Sequence, residues 1–334
     1  MASRTYPTTL KPYGQALVDL ARDRDDILCL TGDLTRQCEI DLFQEAYPDR
    51  FIHAGMAEAN MMSMAGALAR RGHIPFVHTF GVFATRRPLD QIINSIAYPN
   101  LPVRIVGFMP GVSSPGGPSH QAIDDVAFMR AIPNMTVVDV ADATETRQAV
   151  SAIADVPGPV YLRLKRGEIP VIFGEDHEFS LSRAQVLRPG RDLVIVANGM
   201  LVSAALAAAD ALAEAGVDAG VVNVPVVKPL DASTLLDAFA GVRGVVTAEN
   251  HLITGGLGSA VAETIAEAGL AVPLRRVGLR DTFAEGSKSA PSLFRKFGLG
   301  TVDIVGAAWQ LVGDGRPVPE LEAPEIVEGE YAPV

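Results

Sequence analysis

Residues 51–80 read FIHAGMAEANMMSMAGALARRGHIPFVHTF. Phe51–His53 is β-forming sequence, Met56 to Arg70 carries helix formers on every turn, and Ile74–His78 resumes an apolar run. Strand, helix, strand is the unit from which parallel sheets are built, because two parallel neighbours need a crossover long enough to hold a helix. The alternation extends in both directions. Strands are expected near Ile27–Leu30, Val103–Phe108, Thr136–Val140 and Val160–Leu164, with helices over Tyr13–Arg22, Pro88–Tyr98, Ala122–Ala131 and Ala143–Ala154. The fold class this predicts is α/β, with mainly parallel sheets flanked by helices.

From Gly167 to Asp192 the text turns to charge, Gly and Pro without a sustained period, which marks a domain boundary. A second α/β unit follows, with strands expected near Leu193–Ala197, Ala219–Val224, Gly244–Ala248 and Leu274–Val277 and an Ala-rich helix from Leu201 to Ala215. The length, 334 residues, suits two domains at roughly 150 residues each. The division expected is 1–175, 190–312, and an acidic, Pro-rich tail over 313–334.

Hydrophobic residues make up 48% of the chain and charged ones 20%, enough apolar surface to offset chain entropy, so disorder is excluded. With 28 basic against 39 acidic residues the net charge is −11, which repels phosphate backbones and anionic lipid, so no nucleic-acid partner is expected. The two cysteines, Cys29 and Cys38, make no disulfide framework and no zinc-ligand spacing. The N-terminal MASRTYPTTLKPYG lacks an apolar core, and the longest apolar stretch, Leu193 to Ala209, is broken by Asn198, Gly199 and Ser203. A cytoplasmic protein with no membrane segment is the expectation.

Between Arg50 and Arg70 the only formal charge is Glu58, at the start of a helix apolar on nearly every face. A buried carboxylate is costly unless something hydrogen-bonds it. Either Glu58 merely favours the helix dipole or it serves a ligand. Phe80 and Phe83 sit in a short strand-to-helix connection, placed for core packing or for stacking on a flat ligand. The loop GFMPGVSSPGGPSHQAIDD follows a strand and ends on His120, at the strand end where open α/β sheets gather ligands. Arg163, Lys165 and Arg166 form a basic cluster that suits an anionic group or plain solvation. TGGLGSA at Thr254–Ala260 lacks a full dinucleotide fingerprint and a Walker lysine, and reads as a tight strand-to-helix turn.

GDLT, GMAEANM, HTFGVF, GGPSHQ and YLRLKRG occur in the order and approximate spacing of the pyrimidine-binding domain of transketolases. ANGMLVSAALAAADAL, TAENHLITGGLGSAV and DTFAEGS resemble the C-terminal domain of the same family, so the likeness runs from about Thr9 to Leu311. The resemblance implies a thiamine-diphosphate-dependent transferase that moves a two-carbon ketol unit from a ketose to an aldehyde. In its terms Glu58 matches the glutamate that hydrogen-bonds the aminopyrimidine and favours its imino tautomer. Phe80 and Phe83 match aromatics packing on that ring, and Asp33 an aspartate near the cofactor. His120 matches a histidine at the donor's C1 hydroxyl end, and Arg166 an arginine that binds substrate phosphate.

Departures bear on the substrate. Gly116 and Phe108 stand where transketolases carry an aspartate and a histidine, and Leu10 and Gln37 where a phosphate-binding arginine and serine are expected, with Lys11 a substitute for the former. Fewer polar contacts imply an altered sugar. The roles of His53 and His78 stay open. In this family Mg2+ is held by a GDG segment followed by an asparagine on a separate domain. The one GDG here, Gly313–Gly315, has no asparagine after it, since the last is Asn250. The resemblance therefore implies a partner, an N-terminal transketolase subunit carrying the diphosphate and Mg2+ site, in an α2β2 heterotetramer acting on small sugar substrates. The alternatives are a β-type subunit of a 2-oxo acid dehydrogenase, a deoxyxylulose-phosphate-synthase-like enzyme, and a non-catalytic scaffold.

Overall fold

Ile27–Thr31, Arg104–Phe108 and Val160–Leu164 are buried along their whole length, as continuous apolar strands must be when both faces of a parallel sheet are covered. In the computed structural model, which describes residues 5–319, they lie inside a seven-stranded sheet. Its order is Val226–Lys228, Thr136–Asp139, Val160–Leu164, Arg104–Phe108, Ile74–Phe80, Ile27–Thr31, Phe51–His53. Every pairing is parallel except that of Val226–Lys228, which comes from the second half of the sequence and runs antiparallel to Thr136–Asp139. Helices Pro12–Arg22 and Ala143–Ala154 pack together beside Tyr13, Leu17, Phe43 and Ile153, while helix Glu58–Arg70 buries Met61, Met62 and Ala65. Arg104 is a charge inside a strand, and its guanidinium is used up on the carbonyls of Ala154, Val156 and Gly158 just past a helix end.

The second sheet has five strands in the order Leu274–Leu279, Val245–Leu252, Leu193–Ala197, Ala219–Asn223, Gln185–Arg188, the last antiparallel. Helix Leu201–Glu214 buries its Ala- and Leu-rich face against it. The protein is thus two α/β units, each a mainly parallel sheet flanked by helices. A two-stranded ribbon of Thr8–Leu10 with Glu168–Pro170 lies outside both sheets.

Expected and observed elements differ in several places. The helix expected over Pro88–Tyr98 begins earlier, as Gly81–Arg86 and Leu89–Gln91, and ends in a widened π-type turn over Ile92–Ala97. The charged stretch Gly167–Asp192 contains two short strands. Of the expected tail, residues 320–334 lie outside the described residues, while Gly313–Gly315 form a turn in which Asp314 pairs with Arg243. Among the described residues no helix is long and apolar enough to cross a membrane.

Candidate active site

The residues singled out in the sequence gather where the parallel strands of the first sheet end. Glu58 opens the helix Glu58–Arg70 and is 4% exposed. The carboxylate is not left to the helix dipole alone, because Arg87 Nη1 donates to its Oε1 at 2.5 Å. The same guanidinium lies 3.9 Å from the centroid of the Phe83 ring. A flat cation is therefore held on one side by a buried carboxylate and on its face by an aromatic ring. The side chain of Arg87 is 50% exposed, so solvent reaches it and it can leave.

Phe80 ends its strand and Phe83 lies in the following helical turn, not in an open connection. Their rings stack at 27° with centroids 5.9 Å apart. His120 comes from the opposite loop and meets both edge-on, at 6.3 Å from Phe80 and 5.2 Å from Phe83. Its Nδ1 lies 2.9 Å from Ser119 Oγ, which leaves Nε2 for a ligand. A Cβ at Gly116 would lie 3.3 Å from that of His120, so the glycine packs closely beside the histidine.

The other candidates divide. Asp33, held at φ 71, is exposed and lies 3.1 Å from His53 Nε2. Arg166 is half-buried near the buried Cys38 thiol. Among the described residues no hydrogen bond or ring contact joins Asp33 or Arg166 to the aromatic group. His78 is a core residue: Tyr13 Oη donates to its Nε2 at 2.6 Å, its Nδ1 donates to the Leu30 carbonyl at 2.9 Å, and burial lowers its pKa to about 4. Phe108 is fully buried with its ring edge-on to Tyr13, and Lys11 pairs with Asp41 at 2.5 Å. Arg163 is not free for an anion, because it is 2% exposed and bound to Asp125 and Asp139. The TGGLGSA turn is likewise occupied: the N–H groups of Leu257 and Gly258 donate to the Glu249 carboxylate, which sits where a phosphate would.

Sequence reading missed Arg87, Gln121 and Asn250. The one available signal for Arg87 was the doubled Arg86–Arg87 after FGVF, whose members find different acids, Asp124 for Arg86 and Glu58 for Arg87. A carboxylate beside an aromatic face, already holding a planar N–H donor, fits an aminopyrimidine ring. The donor set for a metal-bound diphosphate is different: among the described residues no cluster of three or more His, Cys, Asp or Glu side chains is placed to hold a metal ion.

The sequence and fold resemble those of known proteins. The sequence matches the family model of the transketolase pyrimidine-binding domain over residues 6–171 and that of the transketolase C-terminal domain over residues 182–304. It is 43% identical over 300 residues to the 6-deoxy-6-sulfo-D-fructose transketolase subunit SqwH of a Clostridium species, covering 90% of this chain and 92% of that one. It is 38% identical over 307 residues to the 1-deoxy-D-xylulose-5-phosphate synthase of Thermomicrobium roseum, where 91% of this chain spans 48% of the relative. A solved split-gene transketolase, an inactive beta4 tetramer, superposes with a TM-score of 0.85 at 41% identity, over 92% of this chain and 99% of that one.

Proposed function

This chain belongs to the transketolase family, and from that membership we propose that it is the pyrimidine-binding subunit of a two-component, thiamine-diphosphate-dependent transferase moving a two-carbon ketol unit from a ketose to an aldehyde. The observation that carries the reading is Glu58, a buried carboxylate that already binds a planar N–H cation against the face of Phe83. Thiamine diphosphate, when bound, supplies the carbon nucleophile that adds to the ketose carbonyl. Glu58 accepts the ring N–H and favours the tautomer that can take up a proton. Phe80 and Phe83 fix the plane of the ring and keep water from it. His120, edge-on to Phe83, meets the hydroxyl end of the donor and holds or returns its proton. Asp33 lies near the cofactor, and Arg166 pairs with an anionic tail of the sugar. The Mg2+ and diphosphate are held by the partner, an N-terminal transketolase subunit, in an α2β2 heterotetramer.

The substrate is an anionic ketose other than the common sugar phosphates. Gly116, packed close to His120, presents no polar side chain to read a hydroxyl, and Phe108 is turned into the core. The SqwH relative is named for a ketose that ends in a sulfonate, a tail of the kind an arginine binds. The test is to reconstitute the chain with the product of a neighbouring gene and offer donors that include xylulose 5-phosphate and 6-deoxy-6-sulfo-D-fructose with several aldehydes. Ketol transfer, with the common phosphates poor, is expected. Release of carbon dioxide from pyruvate in place of transfer would establish the synthase-like alternative.

A further inference from the structure

The loop carrying His120 is fastened from the second domain at both ends and at its tip. At its start, Asn250 is 2% exposed; its side-chain oxygen accepts the Val112 N–H at 3.0 Å and its amide donates to the Pro110 carbonyl at 3.0 Å. Gly111, at φ +54, makes this possible, because a Cβ there would lie 2.1 Å from that oxygen. At the tip, the Ser287 N–H donates to the Pro115 carbonyl at 3.0 Å and Gly116 bridges Gly286. Gln121, next to His120 and 1% exposed, spans the gap by donating to the carbonyls of Ser114 at 2.9 Å and Glu285 at 3.0 Å. At the far end the Leu252 N–H donates to the Ile123 carbonyl at 2.8 Å. Arg163 ties the set together by donating to the carbonyls of both Ala122 and Asn250.

Hydrogen bonds of this density, all in low dielectric, fix a Gly- and Pro-rich loop that has little side-chain packing of its own. We propose that Asn250 and Gln121 are positioning residues, through which the second domain sets the place of the His120 ring over Phe83 and so the binding of the donor sugar. The inference rests on the proposed function for His120, while the fastening itself stands apart from it. A misplacement of about 1 Å in a substrate-contacting group lowers rate or affinity by up to about a hundredfold.

The test uses Asn250→Ala and Gln121→Met, the second a shape-conserving change that keeps the chain folded if the first does not. Hydrogen–deuterium exchange on the full chain should show the amides of residues 110–121 exchanging at least about tenfold faster, with the strands of both sheets unchanged. In the reconstituted pair the donor KM should rise about tenfold or more while thiamine diphosphate affinity stays within about twofold, a split that general destabilisation does not produce. Wild-type loop exchange in both variants, or a wild-type donor KM despite faster exchange, overturns the proposal. If the wild-type pair transfers no ketol unit, the proposed function falls and the exchange measurement alone decides whether the second domain holds the loop.

Discussion

Arg87 holds the carboxylate that the proposed function assigns to the cofactor ring, and two predictions rest on that contact. Glu58→Gln should keep the fold, since an amide oxygen still accepts from Arg87 at the helix start. It should lower turnover of the reconstituted pair by about a hundredfold or more, because a neutral amide does not favour a protonated ring nitrogen. Turnover and melting temperature measured together check this, and near-normal turnover refutes the role. Arg87→Met removes the competing cation while keeping an apolar stem on Phe83. The isolated chain should lose about 1 kcal/mol, a small figure because Arg87 is 50% exposed. Thiamine diphosphate should bind the assembled pair severalfold more tightly; weaker binding in a calorimetric titration would mean that Arg87 contributes to the site. Glu58 was legible as the lone charge in an apolar helix. Arg87 was not, because 29 residues separate the pair and only the turn Gly81–Arg86 aims the guanidinium back.

At the scale of elements, the strands were legible because both faces are buried, so apolar runs such as Ile27–Thr31 and Val160–Leu164 announce themselves. Val226–Lys228 was not: three residues between two prolines carry no period, and only the far sheet edge makes them a strand. Gly-rich TGGLGSA reads as a strand-to-helix turn, and it does join strand Val245–Leu252 to helix Leu257–Glu267. Its first turn is held by Glu249, whose carboxylate fits because Gly256 has no Cβ; one there would lie 1.9 Å from Oε2. Burial raises the pKa of Glu249 from its ordinary 4.5 to about 7, against the N–H groups of Gly258 and Leu257 that favour the ionised form. The sign is set by the unfolded chain, which releases this proton near 4.5 while the folded chain keeps it to about 7. Stability attributable to Glu249 therefore falls as pH rises across that window, by about 3 kcal/mol at most, and levels off above it. Glu249→Gln should flatten the dependence, gaining on the wild type between pH values of about 5 and 8. Denaturant melts at both ends of the range check this, and a constant gap between the two proteins would show that Glu249 does not titrate there.

For the whole molecule, the proposed function divides the site between this chain and a partner. The carboxylate and the aromatic faces are built, yet among the described residues nothing is placed to hold a metal ion, and Asp314 of the GDG segment is engaged with Arg243. A magnesium–diphosphate group needs several oxygen ligands, and in the proposed function these come from the partner subunit. Met56, two residues before Glu58, is 78% exposed, and Tyr98 and Ile93, on the segment packed against helix Glu58–Arg70, are 85% and 39% exposed. Large exposed apolar side chains such as these are what a covering subunit buries. The chain alone should therefore show no turnover and no saturable binding of thiamine diphosphate with magnesium. Adding the partner should restore both, and Met56→Glu should weaken that association by about tenfold, as expected for a charge placed in an apolar interface. Calorimetry on the chain alone, on the pair and on the variant pair measures all three. Tight cofactor binding with turnover by the chain alone would show that one polypeptide completes the site, and the partner would then have no part in the chemistry.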